Sequence, residues 1–300
     1  MPLGIKPYID FVFKKTFGSP ENSVALIGLL NAVLEFPDPI TSVIIRNPFK
    51  IEEFLDAKSV MLDVDAVDVR GHTYNIEMQT SLHQALLPRM CYYACRNYVD
   101  QIPKGGHYLD LRDSLTICLL TKSVFPETSQ GHHRFQLIDR TSGRELRNSI
   151  EVHTLELLKY NTEESRLSGS REIDRWAYYF LHGEEKTAEE LRRLLPGESF
   201  ESAISSLSEI SEKTEYKVMY DQREKAEMDY QWAMDSKRAE GKAEGKAEGL
   251  AAGALIGKIQ SLQNLAGEAE QPIEHFNDWS IESLTAEADR LQQLLRNRNA

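Results

Sequence analysis

The sequence predicts an α/β protein in which helices flank a mixed sheet and an α-helical region follows at the C-terminus. Strand-like segments rich in β-branched residues alternate with helical patterns over residues 1–160. One continuous apolar run, Ser114–Phe125, has the length and composition of a buried central strand. Beyond residue 160 the apolar residues follow a helical period, so we expect the sheet to lie in the first half of the chain.

Composition limits the class of protein. The chain has 300 residues, of which 41% are hydrophobic and 27% are charged, as is typical of a folded soluble protein. It has no apolar run of about 18 residues, and charges interrupt its apolar N-terminus, so we expect neither a membrane span nor a signal peptide. Its three cysteines favour a reducing, cytoplasmic location. Cys91 and Cys95 are one helical turn apart, and we expect both to be small buried residues rather than metal ligands.

The charge is unevenly distributed. The net charge of −12 argues against a general nucleic-acid coat protein. Residues 1–160 contain 17 basic and 19 acidic side chains, whereas residues 161–300 contain 18 and 28. The acidity is therefore mostly C-terminal, and the first half is able to present a local basic surface to a polyanion.

The elements of the first half can be assigned from periodicity and turn residues. Helices are predicted for residues 8–17 and 21–35, of which the first ends at Gly18 and the second before Pro37. The further elements are a strand at Ser42–Phe49, a hairpin of Lys58–Asp68 and His72–Thr80, a helix at Leu86–Ile102, the central strand, and strands in RFQLID and IEVHTLEL around Ser142 and Gly143.

The second half is predicted to be helical. Thr187 and Glu190 form a capping-box pattern, and one long helical pattern runs from Ala203 to Arg238. Glycines then occupy every fourth position from 241 to 257, so they nearly follow one face of a helix. Each glycine costs about 0.8–1 kcal/mol relative to alanine in a helix interior. The segment is either a helical oligomerisation segment or a flexible spacer, and we favour a helix that becomes ordered on association.

These patterns divide the chain into four segments. They are an α/β core at 1–160, a helical extension at 161–236, a glycine-repeat segment at 237–258, and a tail at 259–300 with two short amphipathic helices. We expect a homo-oligomer that associates through the C-terminal helices.

The predicted hairpin has an unusual polar face. The sequence DVRG at 68–71 suits a type I turn followed by Gly71 with positive φ, which pairs Asp68 with His72. Counting back along both strands sets Val64 opposite Ile76, with Ala66 opposite Tyr74 and Asp63 opposite Glu77. Because strand side chains alternate, one face is apolar. The other, which we call the polar face, consists of Asp63, Asp65, Thr73, Asn75, Glu77 and Gln79.

The polar face suggests a metal site. Cross-strand neighbours have Cβ atoms about 4.5–5.5 Å apart, so the carboxylates of Asp63 and Glu77 repel each other. A hard divalent cation between them would remove that repulsion, and Mg²⁺ typically binds one or two carboxylates together with phosphate oxygens. Gln79, one pleat beyond Glu77, would orient a water or a phosphate oxygen. The alternative is an ordinary solvent-exposed hairpin face, which the spacing alone favours.

Several segments in order carry a family resemblance. They include DFVFKKTFG, LDVDAVD with YNIEMQ, LLPRMCYYACRNYVDQIPKGGHYLDL, SLTICLLTKSVFP and the repeated KAEG. Together they resemble the Rpn recombination-promoting nucleases, which are putative transposases of the PD-(D/E)XK nuclease superfamily, over most of the chain. The resemblance implies a restriction-endonuclease-like core at 1–160 and a metal-dependent DNA endonuclease. Its implied cofactor is a divalent metal, with Mg²⁺ ahead of Mn²⁺ or Ca²⁺.

The resemblance also implies roles for particular residues. Asp63 and Glu77 would be metal ligands, and Gln79 stands where the superfamily pattern has lysine. Asp10 would be an additional acidic residue from the first helix, or else a solvated residue near a helix start. Candidate phosphate contacts are Lys58 and Arg89.

Two functions follow from these observations. The first is an endonuclease that hydrolyses phosphodiester bonds and so promotes recombination or acts on mobile or foreign DNA. The alternative is a catalytically silent DNA-associated or oligomeric module of the same family, which the glutamine at position 79 and the glycine-repeat segment favour.

Overall fold

The protein is divided into two compact units. The computed structural model describes residues 1–50, 63–82, 85–160 and 162–298. The first unit, Met1–Glu227, contains a six-stranded sheet, and the second, Met228–Ala300, is helical. No helix in these ranges combines the length and the apolar character that a membrane crossing requires.

The sheet is mixed, as the sequence predicts. Its strands are β1 (Val43–Ile45), β2 (Val64–Asp68), β3 (Thr73–Gln79), β4 (Ser114–Leu120), β5 (His132–Gln136) and β6 (Ile150–Glu156). Their order across the sheet is β1-β2-β3-β4-β6-β5. Strands β3, β4 and β6 are parallel, and the other pairings are antiparallel. The predicted central strand is β4, and all seven of its residues are buried. The start of the predicted hairpin, residues 58–62, lies outside the described residues.

Helices surround the sheet and form the second unit. They are α1 (Asp10–Phe17), α2 (Ser23–Leu34), α3 (Leu86–Val99), α4 (Glu172–His182), α5 (Ala188–Leu194), α6 (Glu198–Glu212), α7 (Thr214–Ala266) and α8 (Ile281–Arg298). The capping box before α5 is confirmed, since Glu190 N donates to Thr187 Oγ1 over 3.1 Å and Thr187 N donates to Glu190 over 2.9 Å. The single helical pattern predicted from Ala203 is wrong, because the extended backbone of Lys213 separates α6 from α7.

The two faces of the sheet are covered differently. On one face, apolar side chains of β2, β3, β4 and β6 pack against α1, α2, α4 and α6 in the main core. On the other face, α3 packs over β4 and β6, where Met90 and Ala94 contact Cys118 and Val152. Since α3 covers β4 and β6, the neighbouring surface of β2 and β3 remains open as a pocket.

The predicted register of the β2–β3 hairpin is confirmed. Val64 lies opposite Ile76 and Ala66 opposite Tyr74, and all four side chains are fully buried. Gly71 has φ of 84°, which a glycine adopts without the Cβ clash of other residues. The turn is closed by hydrogen bonds from Asp68 N to His72 O and from Gly71 N to Asp68 O, at 3.1 and 3.0 Å.

The second unit has a small core of its own. The end of α7 packs against α8 through Ile259, Phe276, Leu284, Ala288 and Leu291. The glycine-repeat segment is helical as part of α7. A Cβ built at each of its glycines meets nothing within 4 Å, and residues 241–251 are exposed. The helix therefore has space along its glycine face.

Replacing Gly241, Gly245 and Gly249 with alanine should stabilise this part of α7. Each added Cβ meets open space, so each change should contribute about 0.8–1 kcal/mol of helix propensity. Helicity followed by circular dichroism during thermal unfolding measures the gain. Gly28→Ala is the matched control and should destabilise, because its Cβ would lie 2.3 Å from Ser199 Cβ. A loss of helicity or of association in the triple variant would contradict the expectation and indicate a closely packed partner helix.

Candidate active site

An open pocket of about 550 Å³ lies between the polar face of the hairpin and α3. The hairpin contributes Asp63, Asp65, Asn75, Glu77, Met78 and Gln79 to its walls, and the α3 side contributes Arg89, Tyr93, Arg96, Asn97 and Asp100. Acidic side chains from two strands thus lie across from a helix that bears arginines. The polar face is therefore a pocket wall rather than the surface of an isolated hairpin.

Asp63 and Glu77 are brought together by the strand register. Extending the β2–β3 pairing by one residue places Asp63 across from Glu77, and both carboxylates line the pocket. Each is held by an amide of the same face: Asn75 Nδ2 donates to Asp63 Oδ2 over 2.5 Å, and Gln79 Nε2 donates to Glu77 Oε2 over 3.3 Å. Arg89 Nη2 approaches Glu77 Oε2 to 3.5 Å.

The backbone at Asp63 is fixed by two residues from distant segments. Lys14 of α1 is 3% exposed, and its Nζ donates to the carbonyl oxygens of Asp63 and Asn47 over 2.6 and 2.7 Å. Asn47 Nδ2 also donates to Asp63 O over 3.1 Å, while Asn47 Oδ1 accepts from Asp65 N over 2.8 Å. The sequence analysis does not predict that either residue supports the site. The contact joins segments that are distant in sequence, and the helical pattern around Lys14 does not indicate it.

Two carboxylates of the pocket, Glu77 and Asp65, have raised pKa values. Burial raises the pKa of Glu77, and the charge of Asp63 adds to the effect, although Arg89 opposes it. Burial likewise raises the pKa of Asp65, with a further contribution from Asp63, while Arg46 and Lys14 oppose it. Ionisation of these groups is therefore disfavoured, and a bound cation would stabilise their ionised forms.

The donor set fits a hard divalent cation. Asp63 and Glu77 provide carboxylate oxygens, and the buried Asn75 Oδ1 has no hydrogen-bond partner among the described residues. Oxygen ligands are those that Mg²⁺, Mn²⁺ and Ca²⁺ prefer. The described chain contains no group of three or more histidine, cysteine, aspartate or glutamate side chains spaced to hold a metal. An ion held by two carboxylates would complete its coordination with water and substrate oxygens.

The other residues singled out in the sequence lie in different places. Arg89 lines the pocket, whereas Lys58 lies outside the described residues. Asp10 begins α1, accepts a 2.5 Å hydrogen bond from Phe11 N, and lies 3.8 Å from Arg223 Nη1. Burial raises its pKa. The structure does not place Asp10 among the residues that line the pocket, and its catalytic role stays a prediction.

The expectation for the α3 cysteines is wrong. Cys91 and Cys95 are both exposed, because the apolar side of α3 that faces the sheet is formed by Leu86, Met90 and Ala94. Cys118 is buried on β4 next to Glu77 in the parallel register, and burial raises the pKa of its thiol.

Comparison with known proteins assigns the family. The family model described as PD-(D/E)XK nuclease family transposase matches residues 7–237, a span that includes α1, the hairpin and α3. Comparison with curated proteins and with solved structures found no significant match. PD-(D/E)XK nucleases generally use divalent metals, in agreement with the oxygen donors of the pocket. The mixed sheet flanked by helices agrees with a restriction-endonuclease-like fold. Because the family model matches more than half of the chain, this protein belongs to the PD-(D/E)XK nuclease family transposases.

Proposed function

We propose that this protein is a metal-dependent DNA endonuclease that hydrolyses phosphodiester bonds, and so promotes recombination or acts on mobile or foreign DNA. The observation that carries the proposal is the convergence of Asp63 and Glu77, from two paired strands, on one open pocket. The family match supports a nuclease-type function. The proposed location is the cytoplasm.

Asp63 and Glu77 would hold the metal. Mg²⁺ is the proposed ion, with Mn²⁺ or Ca²⁺ as alternatives; when bound it would polarise a phosphoryl oxygen and lower the pKa of a water. The amides of Asn75 and Gln79, which donate to these carboxylates, would keep both of them oriented. Gln79 cannot carry the positive charge of a lysine, so cationic contacts to phosphate would have to come from elsewhere.

The α3 side of the pocket supplies those cations. The side chain of Arg89 is 36% exposed and lies 3.5 Å from Glu77. A metal bound to Glu77 would replace Arg89 as its electrostatic partner, which would free the guanidinium to bind a phosphate oxygen. Arg96 and Asn97 lie about two helical turns further along the same wall. The half-exposed ring of Tyr93 is suited to stack on an unpaired base.

Hydrolysis would then add water across one P–O bond of the backbone. The hydroxyl goes to phosphorus and the proton goes to the departing sugar oxygen. In this proposal the reacting phosphate would lie between the carboxylates and Arg89, and the open pocket would admit a long polymer.

A silent module is the second candidate function. The glutamine at position 79 favours it, because the residue that the superfamily uses as a cation is replaced by a neutral amide. The exposed glycine face of α7 also favours it, as a surface for homo-oligomers formed through the C-terminal helices. This candidate predicts DNA binding or self-association without cleavage under any divalent cation.

Replacing Asp63 or Glu77 with alanine should abolish divalent-dependent cleavage. Loss of a metal ligand removes several kcal/mol of transition-state stabilisation, so activity should fall by about 10³-fold. Plasmid nicking by the purified protein with Mg²⁺, Mn²⁺, Ca²⁺ or EDTA measures the effect. The control is Glu172→Ala, an exposed carboxylate of α4. Unchanged cleavage in both pocket variants would exclude the assignment, and no cleavage by the wild type would favour the silent module.

Gln79→Ala should weaken the site without destroying it. Its amide holds the Glu77 carboxylate, and loss of such a supporting partner typically costs about 10–100-fold in metal affinity or activity. Calorimetric titration with Mn²⁺ and cleavage rates measure the two effects. Gln130→Ala, at an exposed loop position, is the matched control. Wild-type metal affinity and rate in Gln79→Ala would show that Gln79 does not support Glu77.

As the pH is lowered, metal affinity should begin to fall at a higher pH than it would for carboxylates with ordinary pKa values. The reason is that the pKa values of Glu77 and Asp65 are raised, so protons compete with the metal earlier. Protonation has the opposite effect on the stability of the fold when no metal is added. The stability that these groups contribute is present below their unfolded pKa and is lost as the pH rises through their raised folded pKa. Mn²⁺ titrations and chemical unfolding between about pH 4 and pH 8 test both trends.

Glu77→Gln with Asp65→Asn is the control for this pH dependence. Neither side chain titrates, so the variant should stay weak in metal binding and show a flatter stability profile. An identical stability profile in the wild type and the variant would contradict the assignment of the raised pKa values.

A further inference from the structure

The loop that joins β5 to β6 carries three arginines with no acidic partner. We call residues 137–149 the arginine hairpin. Arg140, Arg144 and Arg147 are exposed, and none forms an ion pair within the described residues. The hairpin has only two acidic residues, Asp139 and Glu145, so its net charge is +1 in a chain of net charge −12.

The arginine hairpin folds back on itself around a single antiparallel bridge between Ile138 and Glu145. Leu146 N donates to Leu137 O and Asp139 N donates to Arg144 O, each over 3.0 Å, and Gly143 N closes the turn on Asp139 O over 2.8 Å. The Asp139 carboxylate is engaged inside the turn by Thr141 N, at 3.0 Å, and by the Ser142 hydroxyl. These bonds hold the Asp139 carboxylate within the turn, where it keeps its charge but forms no ion pair with the three arginines among the described residues.

The base of the arginine hairpin contacts α3, the helix that contributes one wall of the pocket. Asn148 has a left-handed backbone, with φ of 51°, which is uncommon for a residue other than glycine. The hydroxyl of Tyr98 donates to the Asn148 carbonyl over 2.6 Å. Tyr98 belongs to α3, which also carries Arg89 and Arg96 in the pocket wall. One helix therefore carries the pocket cations and contacts the base of the hairpin.

The spacing suits a nucleic-acid duplex. Strand β6, which follows the hairpin, lies two strands from β3, or about 10 Å across the sheet, and its first residue, Ile150, is level with Thr73, which lies about 13 Å along β3 from Glu77. One turn of a duplex is about 34 Å long, so DNA in the pocket would reach the hairpin within a turn. A two-stranded ribbon fits the major groove, and the half-exposed Leu137 and Leu146, which lie opposite each other, offer apolar contact to base edges.

We propose that the arginine hairpin is a second DNA-binding element, whose arginines bind the phosphate backbone of the duplex beside the catalytic pocket. The proposal rests on DNA as the substrate of the proposed function, but it concerns binding and not cleavage. It extends the cationic surface from α3 to the edge of the sheet and assigns duplex DNA as the partner.

The test is the affinity of the full-length protein for a labelled duplex of about 30 base pairs, roughly three helical turns. Fluorescence anisotropy in EDTA and in Ca²⁺, over a series of salt concentrations, gives affinity and salt dependence. Arg140→Gln, Arg144→Gln and Arg147→Gln together should weaken binding about tenfold. They should also lower the magnitude of the salt slope by about 0.9 for each phosphate that the arginines no longer neutralise.

Three further variants control the result. Glutamines at Arg166, Arg192 and Arg193 produce the same change in net charge at exposed positions elsewhere and should leave affinity within about twofold of wild type. Lysines at the three hairpin positions should retain most of the binding. Tyr98→Phe removes the hydrogen bond to the Asn148 carbonyl without a change in charge, and it should weaken binding less than the triple glutamine variant does.

Equal losses in the hairpin and control glutamine variants would overturn the proposal, since net charge alone would then explain them. Wild-type affinity in the hairpin variant would also overturn it, since the arginines would then make no contact with the duplex. Failure of the proposed function is distinguishable, because a hairpin-dependent loss of binding by a protein that never cleaves DNA would refute only the nuclease. Thermal unfolding checks that each variant is folded.

Discussion

The pairing register of β2 and β3 is the constraint on which the rest of the site depends. Strand side chains alternate with a period of two, so a slip of one residue would exchange the apolar and polar faces. Burial of Val64, Tyr74 and Ile76, each worth about 1.5–3 kcal/mol, opposes such a slip, and the turn at Gly71 fixes it locally. The same apolar contacts that stabilise the fold therefore hold Asp63 and Glu77 on one side of the sheet.

The position of α3 converts that polar face into a pocket. Its apolar side packs over β4 and β6, and its polar side faces the carboxylates across the open surface of β2 and β3. One helix thus completes the second core and supplies the cations that a polyanionic substrate requires. Through Tyr98 it also contacts the base of the arginine hairpin, so the proposed catalytic and binding surfaces both involve this helix.

The site carries an electrostatic cost that is consistent with a functional role. Burial and repulsion by Asp63 raise the pKa values of Glu77 and Asp65, and raised carboxylate pKa values are frequent at functional sites. Lys14 and Asn47 compensate in part by fixing the backbone at Asp63. The arrangement leaves carboxylate oxygens in an open pocket, as a cation-binding site requires, at a cost in the stability of the fold.

The sequence by itself determined the hairpin, its register, the opposition of Asp63 and Glu77, and the central strand, because these depend on local turn geometry and on a period of two. Only the tertiary structure decided that Lys14 and Asn47 support Asp63. It also decided that α3 exposes Cys91 while burying Met90, and that Asp10 does not line the pocket. These features depend on contacts between distant segments, which the periodicity of a single segment does not encode.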